Sequence, residues 1–582
     1  MPSETPPNSG TDPNSRQHPG AASAARRMPR GLPYIVVNEA AERYSFYGMR
    51  SILTVFMTKY LLDSAGQADP MTESESKIWY HTFIMGVYFL PIIGALLADI
   101  FWGKYKTIMA LSLVYCLGHL VLALDHTRLG LAGGLALIAI GAGGIKPCVS
   151  AHLGDQFSRG NAHLLDKAYA WFYFSINIGA VLSTLAGEWL LRDFGPHIAF
   201  GVPGGLMLLA TVVFHYGRRE YRSIPPSGWP VFKQTLLAGE TRRAVLRLLP
   251  IFGLVAVFWS LYDQTGSSWV LQAQSDLMDK RVGLFGWSVV LLPSQIQAVN
   301  SFLILLFVPL FSAVLYPMSA RYGIASTALR KIGLGMFLAS LSFAIIAALE
   351  LRIFNGQPAS VSGQLWAYVA MTAAEVLISM TCLEFAYTQA PNPAKSLVMG
   401  LYFLSLSAGN FLAVEVNRFI RADFPIAAVE AAPGSAPEAT PDATASEAIF
   451  APLRLRAEEK APDLINGRKI MFSGDCGLER LLPASDDQPA DTVRLQGTFL
   501  LADIDPGTQS FSLLDAATRK PLMLRGTYAP GPNHTVHSDR LVGAEYFWFF
   551  CGLMGLAALI FVPVAKRYTG ERYLQEEPTP RP

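Results

Sequence analysis

The residues best able to do chemistry in this chain lie where charge is hardest to keep. Glu39, Glu42, Arg43 and Arg50 fall in one otherwise apolar stretch that begins near Leu32. Glu39, Glu42 and Arg43 stand at i, i+3 and i+4, so a helix puts them on one face, and Phe46, Tyr47 and Arg50 carry that stripe further. A charge at the centre of a bilayer helix costs about 2.5–3.5 kcal/mol. Several on a lipid-facing surface would be prohibitive, so the stripe must face a protein interior or a water-filled path. A carboxylate beside a cation can take up and release a proton as its surroundings change. The bland alternative is an inert ion-paired strut between helices.

Other apolar segments carry candidates for the same cavity. Lys146 follows the glycines of Gly141-Ala-Gly-Gly-Ile-Lys-Pro147, Asn177 lies in Phe172-Tyr-Phe-Ser-Ile-Asn, and Asp263 follows Trp259-Ser-Leu-Tyr262. Glu375 has Ser379 one turn on. Each alone reads also as a buried structural polar group. Together they set cations on the first and fourth segments against an anion on the tenth, which suits a zwitterionic ligand. His81, in Trp79-Tyr-His-Thr-Phe83, is a packing residue or a proton carrier; its ordinary pKa near 6.5 permits the second.

These side chains need apolar elements to hold them, and the composition supplies them. Of 582 residues, 51% are hydrophobic and 15% charged, against about 25% charged in an average soluble domain. A bilayer span needs about 20 mostly apolar residues. Twelve candidates start near Leu32, Trp79, Thr107, Leu129, Asp166, Ile198, Val245, Trp287, Thr327, Leu365, Lys395 and Ala544. Basic residues fall in alternate loops: Lys104 and Lys106; Arg159 and Lys167; Arg218 to Arg243; Arg321, Arg330 and Lys331; then Lys566 and Arg567. By the positive-inside rule both termini are cytoplasmic. No basic block suits nucleic acid. The five cysteines (Cys116, Cys148, Cys382, Cys476, Cys551) have no metal-ligand spacing, and no disulfide framework is expected.

The expected fold class is all-α and integral to the membrane, with twelve helices in two six-helix halves and a small β-rich extracytoplasmic insert. The expected divisions are a disordered cytoplasmic tail at 1–30, an N-terminal bundle at 31–217, a cytoplasmic linker at 218–244 and helices 7–11 at 245–421. An insert at 422–542, helix 12 at 543–568 and a cytoplasmic tail at 569–582 complete the chain. Residues 427–443 are Ala/Pro/Glu-rich and read as a flexible tether, so the insert is expected to be dispensable. Runs at 493–504 and 510–514, joined by Asp505-Pro-Gly-Thr508, read as a strand, turn and strand.

Two motifs carry a family resemblance. Gly94-Ala-Leu-Leu-Ala-Asp99-Ile-Phe-Trp-Gly103-Lys104 resembles the signature between the second and third helices of major facilitators. Glu39-Ala-Ala-Glu42-Arg43-Tyr44-Ser-Phe46-Tyr47-Gly48 is more specific and resembles the ExxER motif of the proton-dependent oligopeptide transporter (POT/PTR) family. Ile145-Lys-Pro147, Phe172 to Gly179, Pro293 to Asn300 and Glu384 to Pro391 also resemble that family, and Tyr80, His81 and Tyr88 resemble a cluster of its animal branch. Tyr44 and Phe46 depart mildly from the motif. Ser268 and Ser312 stand where animal members carry an Arg–Asp gate pair, so any such gating must come from elsewhere.

The resemblance implies a proton-coupled symporter importing di- and tripeptides by alternating access, in the plasma (inner) membrane. It implies proton coupling by Glu39, Glu42, Arg43 and His81. It implies peptide binding by Tyr47, Arg50, Tyr80, Tyr88, Lys146, Asn177, Asn300, Glu375 and Ser379. Arg50 and Lys146 would take the carboxylate and Glu375 the ammonium. The partners implied are small peptides, protons and lipid, not nucleic acid, with the insert as the surface available to an extracytoplasmic partner. The energy source is the proton gradient, and no cofactor or metal is expected. No span shows a nucleophile with a base, so an enzyme is not expected. A nitrate or small-anion carrier, or a non-transporting peptide sensor, is the alternative.

Overall fold

The computed structural model describes residues 28–570 except 158–160, 162–163, 223–224, 227, 285–286, 324–325, 391–394, 432–452, 459–463, 474, 483–490, 517 and 532–533. Both expected tails lie almost wholly outside the described residues.

Twelve long helical spans are described: α1 Leu32–Lys59, α2 Glu73–Trp102, α3 Lys104–Leu124, α4 Arg128–Asp155, α5 Leu165–Phe194, α6 Pro196–Arg219, α7 Gly239–Gln274, α8 Gln295–Arg321, α9 Ala328–Phe354, α10 Val361–Ala386, α11 Lys395–Ile420 and α12 Glu545–Arg567. Eleven of these are long and apolar enough to cross a membrane. The exception is α1, whose charges spoil its hydropathy but whose charged face is buried inside the bundle. Outer faces expose large apolar side chains such as Leu120, Leu209, Phe302, Leu341 and Leu559, as a lipid-facing surface requires.

Small residues set the tightest packing. A Cβ on Gly141 of α4 would stand 2.6 Å from the Tyr115 Cβ of α3, and one on Gly143 would stand 2.7 Å from the Leu90 Cβ of α2. The glycines before Lys146 therefore seat α4 between two neighbours, and α4 runs on through Pro147. Between α2 and α3 the chain turns at Gly103, with φ at 77°.

The eighth span begins at Gln295, later than expected near Trp287. Residues Trp287–Val290 instead pair antiparallel with Arg281–Leu284. β-Branched Val289 and Val290 suit a strand, and Pro293 biases its predecessor away from helix.

The segment between α11 and α12 folds into a β domain with its own core, which includes Phe424, Leu455, Phe472, Phe499 and Phe511. Its seven-stranded sheet has the order Arg421–Asp423, Thr535–Asp539, Lys469–Ser473, Gly497–Asp505, Ser510–Asp515, Leu453–Ala457, Ile426–Ala431, all antiparallel. The expected hairpin around Pro506 is present, with a register shift between Ala502 and Asp505. The expected tether is corrected at its start: Ile426–Ala431 is an edge strand of the main sheet, because Val429 packs against the domain core. The rest of 427–443 lies outside the described residues.

Candidate functional site

The charged stripe of α1 closes on itself first. Arg43 Nε lies 2.7 Å from Glu39 Oε1 and 3.1 Å from Glu42 Oε2. Glu39 receives an aligned hydrogen bond, whereas the fully buried Glu42 has no hydrogen-bonded oxygen among the described residues. One cation thus serves two carboxylates unequally. Burying a charge without full pairing is costly, so Glu42 is where an added proton relieves the most.

One and two turns on, α1 meets α2 and α4. Lys146 Nζ sits 3.7 Å from the centroid of the Phe46 ring and 5.0 Å from that of Tyr88. Aromatic faces attract a cation without neutralising it. Tyr47 stands within electrostatic reach of Arg43, Arg50 and Glu42 and of Glu375 in the opposite half.

Glu375 on α10 accepts a 2.7 Å hydrogen bond from Asn300 Nδ2 on α8. Asn300 also donates to Thr372 Oγ1 at 3.0 Å and accepts a long 3.4 Å bond from Tyr262 on α7. Helices α7, α8 and α10 therefore converge on one carboxylate. Ser379 pairs with the Tyr402 hydroxyl at 3.3 Å, further along α10. Asn177 stands apart, with its amide nitrogen donating to Tyr173 O in its own helix.

A second network joins the halves. Arg50 Nη2 lies 2.5 Å from Asp263 Oδ1, and Arg50 Nε donates to the Tyr80 hydroxyl at 2.7 Å. Asp263 Oδ2 accepts from Asn410 Nδ2 at 2.7 Å. The Asn410 oxygen is 2.8 Å from His81 Nδ1, and His81 Nε2 is 3.0 Å from Ser267 Oγ. Because the Asn410 nitrogen is committed as a donor, its oxygen must accept, so His81 carries its proton on Nδ1. The Ser267 hydroxyl donates to Nε2, and could turn to accept if that nitrogen were protonated too.

This network joins α1 and α2 to α7 and α11. Nearby, Thr54 donates to Gly266 O at 2.8 Å, Gln297 donates to Ser51 O at 3.2 Å, and Glu188 accepts from the Ser294 N–H at 2.6 Å. All of these join the two halves towards the end of the bundle that carries the β domain. Among the described residues Ser268 bonds to Gln264 and the Tyr546 hydroxyl, and Ser312 bonds back to its own helix.

The sequence reading singled out Asp263 but left it without a role, and it missed Asn410, Ser267 and Tyr262. Asn410 had a signal, an amide in the middle of an apolar run beside Gly409. A Cβ on Gly409 would stand 2.7 Å from Trp259 Cβ, which is how α11 comes close enough to α7 for Asn410 to reach Asp263.

Comparison with known proteins follows the same lines. The family model described as "POT family" matches residues 105–238 and 229–425. Solute carrier family 15 member 2 of Mus musculus is 39% identical over 385 residues, 57% of this chain and 51% of that protein. Peptide transporter family 1 of Drosophila melanogaster is 39% identical over 396 residues, 57% of this chain and 51% of that protein. The chain thus spans about half the length of the curated relatives it matches. The structure of the POT family transporter PepTSo is 35% identical, with a TM-score of 0.62, covering 68% of this chain and 90% of that one. An auto inhibited POT family peptide transporter is 28% identical, with a TM-score of 0.66, covering 94% of this chain and 99% of that one.

Proposed function

The chain belongs to the POT family, and from that premise we propose that it imports di- and tripeptides by proton-coupled symport. The observation that carries the reading is the opposition of Arg50 and Lys146 in one half to Glu375 in the other. A peptide zwitterion has one charge for each side. Its carboxylate would take Lys146 and Arg50, and its ammonium would take Glu375. Asn300, Tyr47, Tyr80 and Tyr88 would hydrogen-bond the backbone or orient the charged groups, with Asn177 and Ser379 at the margins.

The two halves would rock about this site. Arg50 is held by Asp263 and Tyr80 when the insert end is shut. An arriving peptide carboxylate competes with Asp263 for Arg50, so binding and closure draw on the same guanidinium. A proton on Glu42 would release Arg43 from one of its two carboxylates and change the balance between the two states. His81, bonded to Asn410 and Ser267 across the halves, would sense or carry a proton at the shut end. The proposed setting is the plasma (inner) membrane, with both termini cytoplasmic and the insert outside, as the basic loops imply. The proposed divisions are those of the sequence reading: bundles at 31–217 and 245–421, linker at 218–244, insert at 422–542 and helix 12 at 543–568.

Glu375→Gln tests the zwitterion. A gradient-driven competition assay should show free-amine dipeptides losing affinity roughly 10-fold or more, as expected for a buried charge-assisted bond worth about 1.5–3 kcal/mol. N-acetylated dipeptides, which never make that pair, should change little. Equal loss for both would remove Glu375 from the ammonium site and favour a simple anion as substrate.

A further inference from the structure

The β domain grips one helix end from each half. On the N-terminal half, Thr498 Oγ1 accepts the Glu73 N–H at 3.2 Å, so the insert satisfies one of the orphan donors that open α2. Lys469 Nζ lies 2.7 Å from Glu73 Oε2, and Arg494 Nη1 lies 3.5 Å from Asp63 Oδ2, just past α1. On the C-terminal half, Arg519 Nη2 donates to Ile353 O at 2.6 Å and Phe354 O at 2.8 Å, the last carbonyls of α9. Arg519 does this from a left-handed backbone conformation, φ 56°, which a non-glycine residue rarely adopts unless its surroundings enforce it.

The Lys469–Glu73 pair is partly buried, with side chains 31% and 19% exposed. Lys469 opens the Lys469–Ser473 strand of the insert; partial burial works against its charge, yet Glu73 and Glu350 more than offset that and hold it above the ordinary lysine value. Lys469 therefore stays charged over the physiological range. Glu73, Lys469, Arg480 and Arg519 all line a cavity of about 240 Å³ between the insert and the two halves.

Opening the bundle at this end must carry the start of α2 away from the end of α9. The insert is covalently continuous with α11 and α12, so it travels with the C-terminal half, and its contacts to α2 must give. We propose that the insert is a latch on the shut end of the transporter: its Thr498–Glu73, Lys469–Glu73 and Arg494–Asp63 contacts break each time the halves part. This rests on the alternating-access reading above, and it replaces the expectation that the insert is a loosely tethered, dispensable module.

The test uses the full chain in liposomes, with cysteines in place of Glu73 and Thr498. Spin labels coupled by azide–alkyne chemistry, not through thiols, at exposed Gln67 and Gln357 report the separation of the halves at the insert end. Oxidation to the Glu73→Cys/Thr498→Cys disulfide is expected to cut gradient-driven dipeptide uptake at least 10-fold and to confine the label distances to the short population. Reductant should restore both, and either single variant should ignore oxidation. Lys469→Met, with no cross-link, should enlarge the long-distance population. Uptake and distances unchanged by a verified cross-link would overturn the latch, because the insert would then travel with α2. If the unsubstituted protein carries no peptide at all, the transport reading fails, and the label distances still decide the latch. If the double variant does not fold, Lys469→Met decides it, and unaltered distances there count against it.

Discussion

Glu42→Gln is expected to abolish proton-driven peptide accumulation while leaving peptide binding and counterflow largely in place. Gln keeps the size of the side chain but cannot change charge. In the structure Glu42 is fully buried, 3.1 Å from Arg43 Nε, with neither oxygen hydrogen-bonded among the described residues. Its neighbour Glu39 already supplies Arg43 with an aligned partner at 2.7 Å. Neutralising Glu42 therefore leaves Arg43 with Glu39, and Lys146, which also feels Glu42, keeps its contacts with the Phe46 and Tyr88 rings, so the fold should survive. What is lost is the difference between protonated and ionised states that links the gradient to substrate. Coupling free energies of about 1–3 kcal/mol correspond to roughly 5–150-fold in affinity, so the dependence of dipeptide affinity on external pH should flatten by that order. Reconstituted protein gives both readouts. Undiminished gradient-driven uptake by Glu42→Gln would move the coupling proton elsewhere, with Glu39 and His81 the next groups to replace.

The second large effect concerns the pair between the halves. Arg50 and Asp263 are both buried, and removing one partner of a buried ion pair typically costs about 3–5 kcal/mol because the other charge is left uncompensated. Asp263→Ala should therefore strand Arg50, lower the stability of the shut state by that order and shift the halves towards parting at the insert end. Arg50→Ala should be worse for function, since it also removes the proposed carboxylate ligand. The double variant should recover part of the stability lost by either single one but none of the peptide affinity. Thermal unfolding of the three variants in detergent, alongside peptide binding, separates these terms. Additive losses across the cycle would show that the pair is not coupled and that closure rests on the Thr54, Gln297 and Glu188 contacts.

Much of this was legible in the sequence because membranes make charge conspicuous. The stripe from Glu39 to Arg50 could be read from spacing alone, since no lipid-facing helix could carry it, and its burial follows. The insert hairpin around Pro506 was legible because turn chemistry is local. The eighth span was misplaced because Trp287 to Leu292 is as apolar as a helix start, and only pairing with Arg281–Leu284 makes it a hairpin. The cross-half network was hidden for a different reason. His81, Asn410 and the pair Asp263 and Ser267 lie on three segments far apart in sequence, and each residue alone is a plausible buried polar group. Only the meeting of α2, α7 and α11 makes them one chain of bonds. The docking of the insert was hidden likewise, since an Ala/Pro/Glu-rich run suggests a tether and says nothing of what Lys469, Thr498 and Arg519 touch.

The most direct test of the central claim is uptake by the purified protein in sealed liposomes, with an inward proton gradient as the only energy source. The account predicts that a labelled dipeptide accumulates above its external concentration, that an uncoupler collapses this accumulation, and that unlabelled di- and tripeptides compete while nitrate does not. Accumulation of nitrate without peptide, or saturable peptide binding with no movement across the membrane under any gradient, would contradict it.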